Sequence, residues 1–203
     1  MKPRPNYMPP EQFNQVIEAI PQLKIRKWKD YDVQMLFKCS YWLALRIDET
    51  YNLEKKNFDF EINQVWLGHT KTEKTATATI PKPFINELRE FVESKEDGKI
   101  FEGMNYQTTI FWIKRLGKML NIIAWTTPQS ETGEKTKTHI FRKSIGKDLI
   151  YGTRGKKATL PFVSQTLRHS GHNQLAMTMK YLKVGAEDLS DFWEDLDKQN
   201  NIV

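Results

Sequence analysis

Residues 30–47, DYDVQMLFKCSYWLALRI, constrain this chain more than any other stretch. Apolar side chains fall nearly all the way round a helix built on them, and a helix without a polar stripe belongs in the middle of a domain. The segment therefore predicts a buried central helix that ends near Arg46, with the remaining elements packed around it. An arginine closing such a run is costly if unpaired. Glu49, three residues on, is its natural structural partner. Asp48 and Glu49 open a short turn or helix, DETYNL.

On either side the pattern changes in a definite order. Residues 1–9 are Pro-rich and polar and read as an N-terminal arm. EQFNQVIEAI then carries Phe13, Val16, Ile17 and Ile20 at helical spacing until Pro21. After the central helix, NFDFEI, QVWLGHT and TATATIP alternate like strands. Asn63 and the polar TKTEK stretch sit where two connections belong, and Pro81 and Pro83 close the set. Helical spacing resumes in PFINELREFVES, NYQTTIFWIKRLGKMLNI, IFRKSIGKDLI, PFVSQTLRHS, QLAMTMKYL and LSDFWEDLDKQ. Pro161 suits a first helical turn. TTPQSETGEKTKT has no apolar anchor and predicts a mobile loop, and YGTRGKKATLP is a basic loop. The fold class is mainly α with a small three-stranded antiparallel β-sheet (α+β), and 203 residues make one large domain or two small ones.

Composition narrows the partners. A net charge of +6 and a pI of about 9.2 favour an anionic partner, nucleic acid first. The single cysteine, Cys39, excludes an intramolecular disulfide framework and suits a reducing compartment. Its apolar helical setting predicts a buried thiol. No run approaches the roughly 20 apolar residues of a membrane span, and MKPRPNYMPP lacks the apolar core of a secretory signal. The expected location is intracellular.

The residues that can carry chemistry suit a phosphodiester. Its substitution passes through a five-coordinate arrangement with charge on the non-bridging oxygens, which planar guanidinium forks stabilise well. Arg46 and Arg142 are the candidates, although either alone could be an ordinary surface or capping residue. Tyr181 is the candidate nucleophile. A phenol with an ordinary pKa near 10 needs a nearby cation or base to attack at neutral pH. His139, three residues before Arg142, and His172, preceded by Gly171, can bind phosphate oxygens or move protons. Lys71, in the second strand connection, can reach a DNA groove and protonate a leaving 5′-oxygen. Each of these taken singly also fits a packing or solvated role. A metal site is the rival: His169 and His172 are three apart and could chelate, but no second His/Cys pair has a convincing spacing. There is no phosphate-loop motif.

Together these residues resemble the catalytic domain of the tyrosine recombinase (phage integrase) family over nearly the whole chain. Ala44-Leu45-Arg46-Ile47-Asp48-Glu49 resembles the family's Gly-Leu-Arg-x-Ser-Glu, with Ala44 for glycine and Asp48 for serine. TKTEKTATATIP resembles its β-hairpin, with Lys71 at the catalytic lysine and Lys74 as the competing register. HIFR matches His-x-x-Arg, and GHNQLAMTMKY matches Gly-His followed nine residues later by the tyrosine. His169 competes with His172, because VSQTLRHS also resembles the helix that runs into Leu-Gly-His.

The resemblance implies a site-specific recombinase that acts on double-stranded DNA without metal, nucleotide or other cofactor. Tyr181 attacks the scissile phosphate and forms a 3′-phosphotyrosine link. Arg46, Arg142 and His172 hold the phosphate oxygens, Lys71 protonates the leaving 5′-oxygen, and His139 assists proton transfer at the tyrosine. It further implies a tetramer on DNA, a monomer or weak oligomer without it, and no membrane partner. The helix at 188–199 would dock either on a neighbouring protomer or on its own domain. On this resemblance the catalytic domain covers residues 10–203 and the family's N-terminal DNA-binding domain is expected to be absent, the sequence being either a fragment or a minimal recombinase. A type IB topoisomerase-like relaxing enzyme would use the same residues, and a non-catalytic DNA-binding module could use the same fold.

Overall fold

The computed structural model describes residues 7–68, 76–128, 137–169 and 172–182. Three helices come first: α1 (Pro10–Ala19), α2 (Asp30–Trp42) and α3 (Ile47–Tyr51). Strands β1 (Phe58–Asp59), β2 (Gln64–Leu67) and β3 (Ala76–Thr79) follow. Helices α4 (Ile85–Glu93), α5 (Tyr106–Met119) and α6 (Ile123–Thr126) lead to α7 (His139–Tyr151), α8 (Leu160–Thr166) and α9 (Gln174–Leu182).

As its composition requires, α2 is the centre. Val33, Met35, Leu36, Phe37, Cys39 and Tyr41 are all buried. Phe37 packs on Phe141 of α7 at 4.9 Å, and Tyr41 stacks on Phe13 of α1 at 4.1 Å. Burial pushes the Cys39 thiol well above its ordinary pKa, so it is an inert core group.

The helix is shorter than the sequence predicts. It stops at Trp42, and Ala44 takes a left-handed backbone with φ 49°. Leu43, Ala44 and Leu45 are still buried. Apolar periodicity thus continued past the point where hydrogen bonding changed direction, because burial follows side chains and not backbone. Arg46 is consequently extended (φ −70°, ψ 151°) and stands at the start of α3 instead of the end of α2.

The sheet is the expected three-stranded antiparallel one, in the order β1-β2-β3. Phe58 pairs with Val65, and Val65 with Ala78. Asn63 makes the first connection with φ 56°, a conformation asparagine tolerates. The second connection, with Lys71 and Lys74, lies outside the described residues, as do most of the 126–138 loop and the helix expected at 188–199. A short helix the sequence reading did not expect, α6, follows α5. Gly117 allows its approach, since a Cβ there would meet the Trp125 Cβ at 3.0 Å.

Residues 7 and 8, within the stretch read as an N-terminal arm, pack on the core. Tyr7 and Met8 are buried. The Tyr7 hydroxyl donates to Asp148 at 2.6 Å, and the Met8 amide donates to the Ser144 hydroxyl at 3.0 Å. Asp148 is fully buried and also accepts from Tyr41 and Thr153. Burial raises its pKa even though these donors favour the ionised form.

Candidate active site

Three segments far apart in sequence converge at the α2–α3 junction, the start of α7 and the α8–α9 connection. The turn after α2 leaves the carbonyls of Leu43 and Ala44 outside the helical ladder, where they need donors. Two arginines supply them. Arg142, on the first turn of α7, donates to Ala44 O at 2.6 Å and to Leu167 O. Arg168, just past α8, donates to Leu43 O at 3.2 Å and to Ala44 O at 2.8 Å.

Glu49 gathers the charges. Its carboxylate accepts the Arg46 backbone N–H and the Arg46 guanidinium, each at 2.7 Å, and the Arg168 guanidinium at 2.8 Å. Arg142 lies 3.9 Å away. Burial disfavours its ionised form, but Arg168, the Arg46 amide, Arg142 and Arg46 together outweigh burial and hold its pKa below the ordinary value. The Glu49 partnership read from sequence for Arg46 is therefore present, and it extends to two further arginines. Burial, with Arg168 beside it, lowers Arg142 to about 10. Only Arg46 of the three is substantially open to solvent, with 49% side-chain exposure against 2% for Arg142 and 11% for Arg168. One carboxylate against three guanidiniums leaves an excess of positive charge, open on the Arg46 side.

Tyr181, on the last turn of α9, faces this cluster. Its hydroxyl oxygen is buried. The His169 ring meets the tyrosine edge-on at 5.1 Å between centroids, and the His139 ring lies at 6.4 Å. Lys143 Nζ lies 4.7 Å from the centre of the tyrosine ring. Arg142 and Arg168 are both near enough to Tyr181 to interact with it electrostatically.

The two competing histidines are placed differently. His169 shares a 2.8 Å hydrogen bond with Thr178 on α9 and is half-buried. Burial, followed by the charges of Arg142, Arg46 and Arg168, lowers its pKa to about 4. His172 is exposed at the approach to α9. The residue before His169 is Arg168, with φ 50°. That left-handed backbone is what a Leu-Gly-His segment would obtain from glycine. His172 is favoured in the sequence by the preceding Gly171 and by its nine-residue spacing to Tyr181, while in the structure an arginine holds the left-handed position before His169. Among the described residues no group of three or more His, Cys, Asp or Glu side chains is placed to share a metal ion.

Arg168 and Lys143 were not singled out from the sequence. Lys143 follows Arg142 and Arg168 precedes His169, so adjacency to the motif residues was the available signal. The arrangement as a whole presents cationic side chains to an anionic oxygen at Arg46 and places the Tyr181 hydroxyl beside them.

The fold has counterparts among solved structures. It is similar to the crystal structure of XerA recombinase, with a TM-score of 0.63 and 16% identity, covering 93% of this chain and 64% of that one. It is also similar to the catalytic domain of bacteriophage HP1 integrase, with a TM-score of 0.60 and 16% identity over 93% of both chains. The fold is thus that of tyrosine recombinase catalytic domains. The chain belongs to the phage integrase family, whose model matches residues 6–187. The tyrosine recombinase XerA of Pyrococcus furiosus is 24% identical over 100% of this chain and 65% of its own length. The XerA of Thermococcus onnurineus is 21% identical over 93% of this chain and 61% of its own length. The chain therefore spans less than two thirds of these relatives.

Proposed function

We propose that this chain cleaves and rejoins double-stranded DNA by transesterification at Tyr181, as a site-specific recombinase catalytic domain. The observation that carries the proposal is the convergence of Arg46, Arg142, His169 and Tyr181 around one charge-rich site, in a chain of the phage integrase family.

The Tyr181 oxygen attacks the scissile phosphorus as its proton leaves, and the P–O bond to the 5′-oxygen breaks. The products are a 3′-phosphotyrosine and a 5′-hydroxyl, and attack by another 5′-hydroxyl reverses the step. Arg46, the most open of the guanidiniums, takes a non-bridging oxygen, and Arg142 stabilises charge from beneath. His169 takes the phosphate-facing histidine role in preference to His172, because it touches both Thr178 and Tyr181 while His172 is exposed. His139 assists proton transfer at the tyrosine, and Lys71, or Lys74 in the other register, protonates the leaving oxygen. Assembly on DNA as a tetramer and action inside the cell belong to the same proposal.

A suicide duplex nicked near the cleavage point tests it. The wild-type chain is expected to form a covalent adduct, and Tyr181→Phe to abolish it while DNA binding survives. An adduct with the phenylalanine variant would disprove the nucleophile assignment. Supercoil relaxation without recombinant products would mark a topoisomerase-like enzyme instead.

A further inference from the structure

The proposed site uses two arginines, yet a third is built into it. Arg168 sits between α8 and His169 in a left-handed conformation that side chains other than glycine seldom adopt. Something must hold it there, and its contacts show what does. Its two terminal nitrogens reach Leu43 O at 3.2 Å, Ala44 O at 2.8 Å and Glu49 Oε2 at 2.8 Å. Two of these acceptors belong to the α2–α3 turn and the third to the first turn of α3, all more than a hundred residues earlier in the chain. Ala44 itself has φ 49°, so two left-handed residues face each other across one guanidinium.

The same side chain links the parts that must be in register. Glu49, which it grips, also fixes Arg46 through both the backbone amide and the guanidinium. His169, the next residue, contacts Tyr181. With both terminal nitrogens engaged and only 11% of the side chain exposed, Arg168 has little left to offer a ligand directly. We propose that Arg168 is a positioning residue: through Glu49 and the Leu43 and Ala44 carbonyls it sets Arg46 at a fixed distance from His169 and Tyr181. The planar fork is what the task needs, since a lysine ammonium cannot span two carbonyls and a carboxylate in one plane.

The proposal rests on the recombinase reading of the site, and its test separates the two. Single-turnover cleavage of the nicked duplex is compared for wild type, Arg168→Gly, Arg168→Lys and Tyr181→Phe. Glycine accepts the backbone conformation, so that variant removes the fork without adding strain. Both Arg168 variants are expected to form the adduct about 10- to 100-fold more slowly, the loss a misplacement of about 1 Å produces. DNA affinity and its salt dependence should match wild type. Arg168→Gly combined with Glu49→Gln should be no slower than the slower single variant, because both act through one linkage.

Wild-type rates in both variants overturn the proposal. So does a weaker affinity with a shallower salt slope, which would make Arg168 a direct phosphate contact, and so do additive effects in the double variant. Should the glycine variant fail to fold, Arg168→Lys decides alone: a wild-type rate overturns the proposal, and slowing at unchanged affinity supports it. A wild-type chain that forms no Tyr181-dependent adduct overturns the recombinase reading and this proposal with it.

Discussion

Two histidines three residues apart show how little a motif says about a side chain's surroundings. His172 has the glycine before it, but His169 has the tyrosine, the threonine and three arginines nearby. His169→Ala is therefore expected to slow adduct formation about 100-fold, while His172→Ala stays close to wild type. Comparison of the two variants on the nicked duplex checks this. The low proton affinity of His169 has a second consequence. Between its ordinary pKa of 6.5 and about 4, the unfolded chain binds the proton and the folded chain does not. Stability from this group is fully present above pH 6.5 and falls as the pH drops toward 4. Thermal midpoints measured across that window should decline less steeply for His169→Gln. Glu49 adds a loss at lower pH: its folded pKa lies below the ordinary 4.5, so its contribution disappears as the pH falls through that lower value.

The helices owe their placement to a few close approaches. Gly146 on α7 faces Leu182 of α9 and Leu167 beyond α8. A Cβ there would meet Leu182 Cδ2 at 2.9 Å and Leu167 Cδ1 at 3.2 Å. Gly146 thus lets the tyrosine helix lie against α7. Gly146→Val is expected to destabilise the fold by about 1–3 kcal/mol through overpacking and to slow adduct formation by moving Tyr181. Denaturant titration and the nicked-duplex assay would read the two effects. Further along α7, the Tyr7–Asp148 hydrogen bond ties Tyr7 to the core. Tyr7→Phe should cost about 1 kcal/mol in the same titration.

The whole molecule carries +6 and concentrates three guanidiniums at one site. DNA binding by this chain should therefore fall steeply with salt, log K against log salt giving a slope set by the number of phosphates neutralised. Fluorescence anisotropy at several salt concentrations measures that slope. Tight, site-specific binding insensitive to salt would contradict the electrostatic account. No helix among the described residues is long and apolar enough to cross a membrane.

The sequence by itself determined most of the described helices and strands, though not α6, because apolar period depends only on local spacing. It also determined the buried helix at the centre and supplied the residue types that the proposed chemistry would use. Where helices end was legible only in part. Apolar side chains run through Trp42 to Leu45 without a break, while the backbone turns at Ala44. Which histidine faces Tyr181, and the existence of the Arg168 linkage, were decided by tertiary structure alone. Both depend on carbonyls left over at the α2–α3 turn, whose donors come from the opposite end of the chain. A one-dimensional pattern records spacing along the chain, and these contacts are distances across it.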